Sequence, residues 1–120
     1  MKLIIAGSRD LGNKVKPSFI QNLLIELDIE TPHEIVSGGA TGIDSLGERY
    51  AADFINMNII KFPADWNKHG RVAGPIRNAE MAKYADSLLL IWDGTSKGSL
   101  SMKNEMLKLN KPIYEVIIKK

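Results

Sequence analysis

Ile35-Val36-Ser37-Gly38-Gly39-Ala40-Thr41-Gly42-Ile43-Asp44 runs from a short apolar strand, through a turn rich in glycine, into the start of a helix. Glycine adopts positive φ without strain and lets main-chain N–H groups approach a ligand closely. The helix start adds donors that lack intrahelical partners, together with a partial positive charge. An anion, above all a phosphate, suits such a turn. The run is neither the P-loop pattern G-x-x-x-x-G-K-[ST] nor the dinucleotide pattern G-x-G-x-x-G, so no ready-made motif names a ligand. A tight strand-to-helix connection with no ligand needs the same residues.

Upstream, Lys2-Leu3-Ile4-Ile5-Ala6 is continuously apolar after its first residue, the pattern of a strand buried on both faces. Phe19, Ile20, Leu23, Leu24 and Leu27 recur at helical spacing behind Pro17, predicting a helix over 17–28 that Thr31-Pro32 breaks. Downstream, Ile43, Leu46, Tyr50, Ala51 and Phe54 form a helical stripe ending near Asn56, and 58–62 reads as a third strand. The polar stretch 63–74 is long for a simple connection and is a candidate binding loop. Pro75 suits the first position of a helix ending near Ala85, before a fourth strand at 87–92. Ser99 is a candidate N-cap for a last helix, which Asn110 and Pro112 stop ahead of a strand at 113–118.

Strands alternating with helices predict a compact three-layer α/β domain of the Rossmann-like kind. It would have a five-stranded, mainly parallel sheet, right-handed crossovers and helices on both faces. Such sheets bind ligands beyond the carboxyl ends of their strands, where the strand order reverses. That rule selects Gly7-Ser8-Arg9, Ser37-Gly38-Gly39, Pro63-Ala64-Asp65-Trp66 and the loop from Asp93 to Ser99, which all converge on one edge.

The 120 residues are expected to make one domain, and 44% hydrophobic with 25% charged residues is ordinary for a globular protein. No segment approaches the apolar length that spans a bilayer, and residues 2–6 are too few and too soon interrupted to be a secretory signal. The expected location is therefore the cytoplasm. The absence of cysteine excludes disulfides and thiolate chemistry, and two histidines argue against a His-rich metal site, so neither metal nor cofactor is expected. A net charge of +2 is far from the basic excess of a dedicated duplex-DNA binder, although Lys61, Lys68, Arg71 and Arg77 form a local positive stretch.

Taken in order, Ile4-Ile5-Ala6-Gly7-Ser8-Arg9-Asp10, Ser37-Gly38-Gly39-Ala40-Thr41-Gly42-Ile43-Asp44, Phe62-Pro63-Ala64-Asp65-Trp66, Gly74-Pro75-Ile76-Arg77-Asn78 and Trp92-Asp93-Gly94-Thr95-Ser96-Lys97-Gly98-Ser99 resemble the YspA-like, cpYpsA-related branch of the SLOG superfamily. The resemblance spans essentially the whole chain. Its relatives include the LONELY GUY phosphoribohydrolases, the DNA-processing protein A recombination mediators and sensors of nucleotide signals. It therefore implies a nucleotide or ADP-ribose-like ligand, and a homodimer. In LONELY GUY enzymes an Arg-Lys pair precedes a Pro-Gly-Gly-x-Gly-Thr-x-x-Glu motif, and the Arg and a Glu act on the N-glycosidic bond. Here Arg77-Asn78 stands at the pair, Gly98-Ser99 at the Gly-Thr, and Ser101 and Met102 where glutamates belong, with Glu105 one turn further on. The resemblance thus implies binding ahead of hydrolysis. A hydrolase would need Arg77 together with Glu105, Glu48 or Asp44. Arg77-Asn78 and Lys97-Gly98-Ser99-Leu100 also resemble the DNA-processing motifs, but few aromatics are available to stack a strand of bases, so a nucleic-acid partner ranks below a small nucleotide.

The candidate ligand residues are Gly38, Gly39, Thr41 and Gly42 as one phosphate cradle, and Thr95, Ser96, Gly98 and Ser99, with Asp93, as another. Gly7, Ser8 and Arg9 close the end of the first strand, and a guanidinium at Arg9 can grip phosphate in bidentate fashion. Arg77, beside Asn78, suits phosphate binding or leaving-group stabilisation. Asp44 would compete with a bound anion at the helix start, so it either caps the turn or accepts a sugar hydroxyl. Trp66 either stacks on a base or packs its loop onto the sheet. Trp92, Met102 and Met106 read as core.

Overall fold

Strands β1 (Lys2–Gly7), β2 (Glu34–Ser37), β3 (Asn58–Lys61), β4 (Ser87–Trp92) and β5 (Ile113–Ile117) form one sheet in the order β3-β2-β1-β4-β5. All four pairings are parallel, with Leu3 opposite Ile35 on one side of β1 and Ile4 opposite Leu88 on the other. This is a computed structural model that describes residues 1–11 and 15–118. The chain steps outward from β1 to β3, returns past β1 to β4, and ends at β5. With right-handed crossovers, such a path must put its first two helices on one face and its later ones on the other. Accordingly α1 (Pro17–Glu26) and α2 (Ile43–Ala52) cover one side. After the one-turn α3 (Trp66–His69), α4 (Ala73–Tyr84) and α5 (Lys97–Lys108) cover the other.

The unbroken apolar runs of β1 and β4 divide by strand alternation between two cores. Leu3, Ile5, Ile35, Leu89 and Ile91 pack with Ile20, Leu24, Ile43, Leu46 and Tyr50 from α1 and α2. Ile4, Ala6, Val36, Leu88, Leu90 and Trp92 pack with Met81, Met102 and Met106 from α4 and α5. Each fully buried aliphatic side chain contributes about 1.5–3 kcal/mol, so the central strands hold the fold together. Both α1 and α5 end on a left-handed residue, Asp28 at φ 54° and Asn110 at φ 55°. There the next N–H turns back to the helix: Ile29 to Leu24 at 2.8 Å, and Lys111 to Met106 at 3.1 Å.

Several boundaries differ from the sequence reading. The second helix stops at Ala52, short of Asn56, where the bonding tightens: the Asp53 N–H donates to the Tyr50 carbonyl at 3.2 Å and the Phe54 N–H to the Ala51 carbonyl at 3.1 Å, three residues back rather than four. The stretch 63–74 is largely helical. Asp65 caps α3 by accepting the Lys68 N–H at 3.1 Å, and a 3-10 turn at Gly70–Val72 leads directly into α4. Pro75 is thus the third residue of its helix, still within the turn whose N–H groups have no helical acceptor. The N-cap of α5 is Ser96, and Ser99 is buried inside the first turn. No helix among the described residues is long and apolar enough to cross a membrane.

Candidate functional site

Neighbouring strands β1 and β4 send their chains to opposite faces, which opens a crevice at their carboxyl ends. A cleft of about 350 Å³ occupies it. Gly7, Ser8, Arg9 and Asp10 form one wall, Asp93, Ser96, Gly98 and Ser99 another, and Asp44, Arg77 and Asn78 close it from the helices. The buried side chains of Ala6, Met81 and Met102 supply apolar surface. Ser8 ties the two strand ends together. Its N–H donates to the Ile91 carbonyl at 3.1 Å and its hydroxyl accepts the Asp93 N–H at 3.1 Å.

Arg77 projects from the second turn of α4 and crosses to the β2 side, where its guanidinium donates to the Gly38 carbonyl oxygen. Its Nε donates to Asn78 Oδ1 at 2.9 Å, and Asn78 Nδ2 in turn donates to Ser101 Oγ at 3.2 Å. Asn78 is thus a positioning residue, joining α4 to α5 while aiming the arginine. Gly38 makes the crossing sterically feasible, because a Cβ there would lie 2.6 Å from Arg77 Nη1 and 2.8 Å from Asp44 Oδ2. Burial lowers the Arg77 pKa from its ordinary value. Asp44 opposes that shift and the positive charge of Arg9 adds to it.

The glycine turn is partly served from within. Gly39 N–H donates to Ser37 Oγ at 3.0 Å, Ala40 N–H to Asp44 Oδ2 at 3.4 Å, and Ile43 N–H to the Ser8 carbonyl at 3.3 Å. Asp44, only 6% exposed, is the resident carboxylate of this helix start. Burial raises its pKa from 3.8 to about 6, against the N–H groups of Ala40 and Gly7 and the charge of Arg77; Glu48 adds a small further rise. At the start of α5 the Asp93 carboxylate accepts from Thr95 and Ser96 N–H at 2.9 and 3.0 Å. The first-turn donors of Lys97, Gly98 and Ser99 have no acceptor within their own helix, and Gly98 and Ser99 border the cleft.

A second cleft of about 340 Å³ adjoins the first at the ends of β2 and β3. Gly38, Gly39 and Thr41 line it together with Pro63, Ala64 and Trp66. Trp66 is 53% exposed, so its ring offers a stacking surface beside the buried Gly74. Arg9, Ala40 and Arg77 border both clefts. Arg9 is exposed, and among the described residues its guanidinium makes no ion pair or hydrogen bond.

Most of the residues picked from sequence therefore meet along one edge. Gly42 and Thr95 border neither cleft: Gly42, at φ 81°, packs against the Arg9 main chain, and Thr95 serves the Asp93 turn. Of the three candidate acids, Asp44 alone lines a cleft. Glu48 accepts from Ser37 Oγ at 2.6 Å and pairs with Lys61 at 3.1 Å, while Glu105 pairs with Lys108 at 3.0 Å on α5. Asp10 and Met81 border the first cleft without having been named as candidates, whereas Ala40 lies inside the Gly38–Gly42 cradle; Asp10 had a signal in its adjacency to Arg9, and Met81 had none.

Over 84 residues the chain is 34% identical to the Gene 61 protein of Mycobacterium phage D29, an alignment that covers 66% of this chain and 67% of that protein. The chain belongs to its family. No family model matches the sequence. Among its described residues no group of three or more His, Asp or Glu side chains is placed to hold a metal ion.

Proposed function

We propose that this chain is a SLOG-type domain that binds a nucleotide or nucleotide-derived molecule across the carboxyl edge of its sheet. The observation that carries the reading is the convergence of Arg9 and Arg77 on the join between two clefts at the β1/β4 switch point. Two guanidinium groups near one another, the second in a partly buried position, favour a bound anion. The donors at the start of α5 extend the same preference. Denaturing the purified protein and identifying any released small molecule by mass spectrometry, followed by calorimetry with a nucleotide panel, tests this. A phosphorylated nucleoside bound with micromolar affinity supports it, and no heat or thermal shift with any nucleotide refutes it. The same reading makes the protein a cytoplasmic homodimer, and light scattering tests the dimer.

Asp44 favours a second reading, hydrolysis of a nucleoside monophosphate at its N-glycosidic bond. Its carboxyl lines the cleft beside Arg77 and titrates near pH 6, the range useful to a general acid or base. The C1′–N bond breaks, the base leaves with a proton from Asp44, water supplies the hydroxyl at C1′, and the proton that water releases returns to the Asp44 carboxylate, while Arg77 holds the phosphate. Chromatography after incubation with purine and pyrimidine monophosphates reads the outcome. Free base from wild type but not from Asp44→Asn supports the activity, and no free base from wild type excludes it.

A further inference from the structure

The two helix starts at the first cleft differ in what already holds their donors. At α5 the Asp93 carboxylate accepts from Thr95 and Ser96, ahead of the helix, and the first-turn donors of Gly98 and Ser99 stay on the cleft border. At α2 the acceptors come from inside the turn. Gly39 N–H goes to the Ser37 hydroxyl, which is neutral and is itself fixed by donating to Glu48, the partner of Lys61. Ala40 N–H goes to Asp44, a charged acceptor that also lines the cleft. Asp44 Oδ2 and Arg77 Nη1 close on the same glycine, at 2.8 and 2.6 Å from where a Gly38 Cβ would lie. The carboxylate therefore stands where an incoming anion would stand, against a turn N–H, at the positive end of α2 and beside a guanidinium.

The charges around Asp44 set the direction of this competition. Arg77 faces it from α4, and Glu48 lies one turn further along α2. Arg9 and Asp10 border the same cleft from the end of β1 and Asp93 from the end of β4, while His69, on α3, borders neither cleft. An ionised Asp44 offsets the charge of Arg77 and repels an anion. A neutral one leaves the guanidinium groups to the anion and adds an O–H donor. Burial brings this change of state to about pH 6.

Resting on the nucleotide-binding reading above, we infer that Asp44 is a built-in competitor for the anionic group of the ligand, a proton-operated gate that closes the glycine turn when ionised and opens it when neutral. The start of α5 is open in either state. Binding of an anion at the turn then takes up a proton, and affinity rises as pH falls.

Inorganic sulfate is the probe, because it keeps both negative charges on either side of the Asp44 transition and carries neither base nor sugar. Calorimetry on the full chain is expected to show sulfate bound about ten-fold more tightly at about pH 5 than at about pH 8. Runs near the transition in buffers of different ionisation heat are expected to show proton uptake on binding. Asp44→Asn is isosteric and keeps an acceptor for the Ala40 N–H. It is expected to bind sulfate at both pH values as tightly as wild type does at the lower one, with no proton uptake. Wild-type affinity that does not change with pH, or a variant that keeps the wild-type pH dependence, overturns the gate and leaves nucleotide binding standing. Proton uptake is read on wild type alone, so its absence overturns the gate whether or not the variant folds. Sulfate bound at neither pH also overturns the gate, whereas failure of the nucleotide panel overturns the functional reading on which it rests.

Discussion

The Arg77 guanidinium donates to the carbonyl oxygen of Gly38, 39 residues away in sequence, and the same glycine leaves the space in which Asp44 approaches that guanidinium. A methyl group at position 38 would meet both side chains below 3 Å. Gly38→Ala must therefore displace the end of Arg77 or of Asp44, and the hydrogen bond lost with it costs about 0.5–1.5 kcal/mol. Urea unfolding should show that loss, and calorimetry should show nucleotide affinity falling about ten-fold. Wild-type stability and affinity in the variant would mean that the Arg77 crossing has no such role.

Arg77→Lys keeps the charge and loses the fork. Lysine cannot hold the Gly38 carbonyl and Asn78 Oδ1 together, so the cation is no longer fixed across the join. Losing the two part-buried hydrogen bonds is expected to cost about 1–3 kcal/mol in urea unfolding, and affinity is expected to fall about ten-fold; that loss of stability with unchanged affinity would make the arginine purely structural.

Asp44 supplies a pH dependence of stability with a definite sign. Its folded pKa of about 6 lies above the ordinary 3.8, so between those values the folded protein keeps a proton that the unfolded chain has released. The stabilising contribution of the protonated group is complete below the lower value and is lost as pH rises to about 6. The total is on the order of 3 kcal/mol at most. In urea titrations Asp44→Asn should gain stability relative to wild type as pH rises through this window. A constant difference between the two proteins across it would contradict the assignment.

Lys111 closes the carboxyl end of α4. Its ammonium donates to the carbonyls of Ala82 at 2.7 Å, Lys83 at 3.0 Å and Ala85 at 2.7 Å, which the helix itself leaves without donors. Lys111→Met keeps the stem and removes the donors, with an expected loss of about 1–3 kcal/mol in urea unfolding. An unchanged midpoint would show that water replaces the ammonium at no cost.

Glu105 provides a contrast. It pairs with Lys108 on α5 and borders neither cleft, so Glu105→Gln should leave ligand affinity, and any release of free base, at wild-type levels. A loss of either would return Glu105 to the site.

The strands and the placement of the site were legible because burial on both faces writes itself into sequence. The runs at Leu3–Ala6 and Leu88–Trp92 read as central strands, and their order with the helices sends the crevice to the carboxyl edge. The helical character of 66–72 was hidden because one turn is too short to show a period and depends on a local cap at Asp65. The start of α5 was misplaced for a similar reason: Ser96 and Ser99 are equally good caps by residue type, and the Asp93 side chain, reaching the N–H groups two and three residues on, decides between them.

By itself the sequence determined a parallel α/β sheet, a glycine-rich strand-to-helix turn at Ser37–Asp44, and two arginines destined for the same edge. Local composition and periodicity suffice for these because they follow from burial and backbone freedom. Only the tertiary structure decided that Asp44 serves part of that turn, that Glu105 lies elsewhere, and that Arg77 stands between two clefts. Those outcomes depend on distances across the sheet between residues far apart in the chain, set by the packing of α2 and α4 against opposite faces.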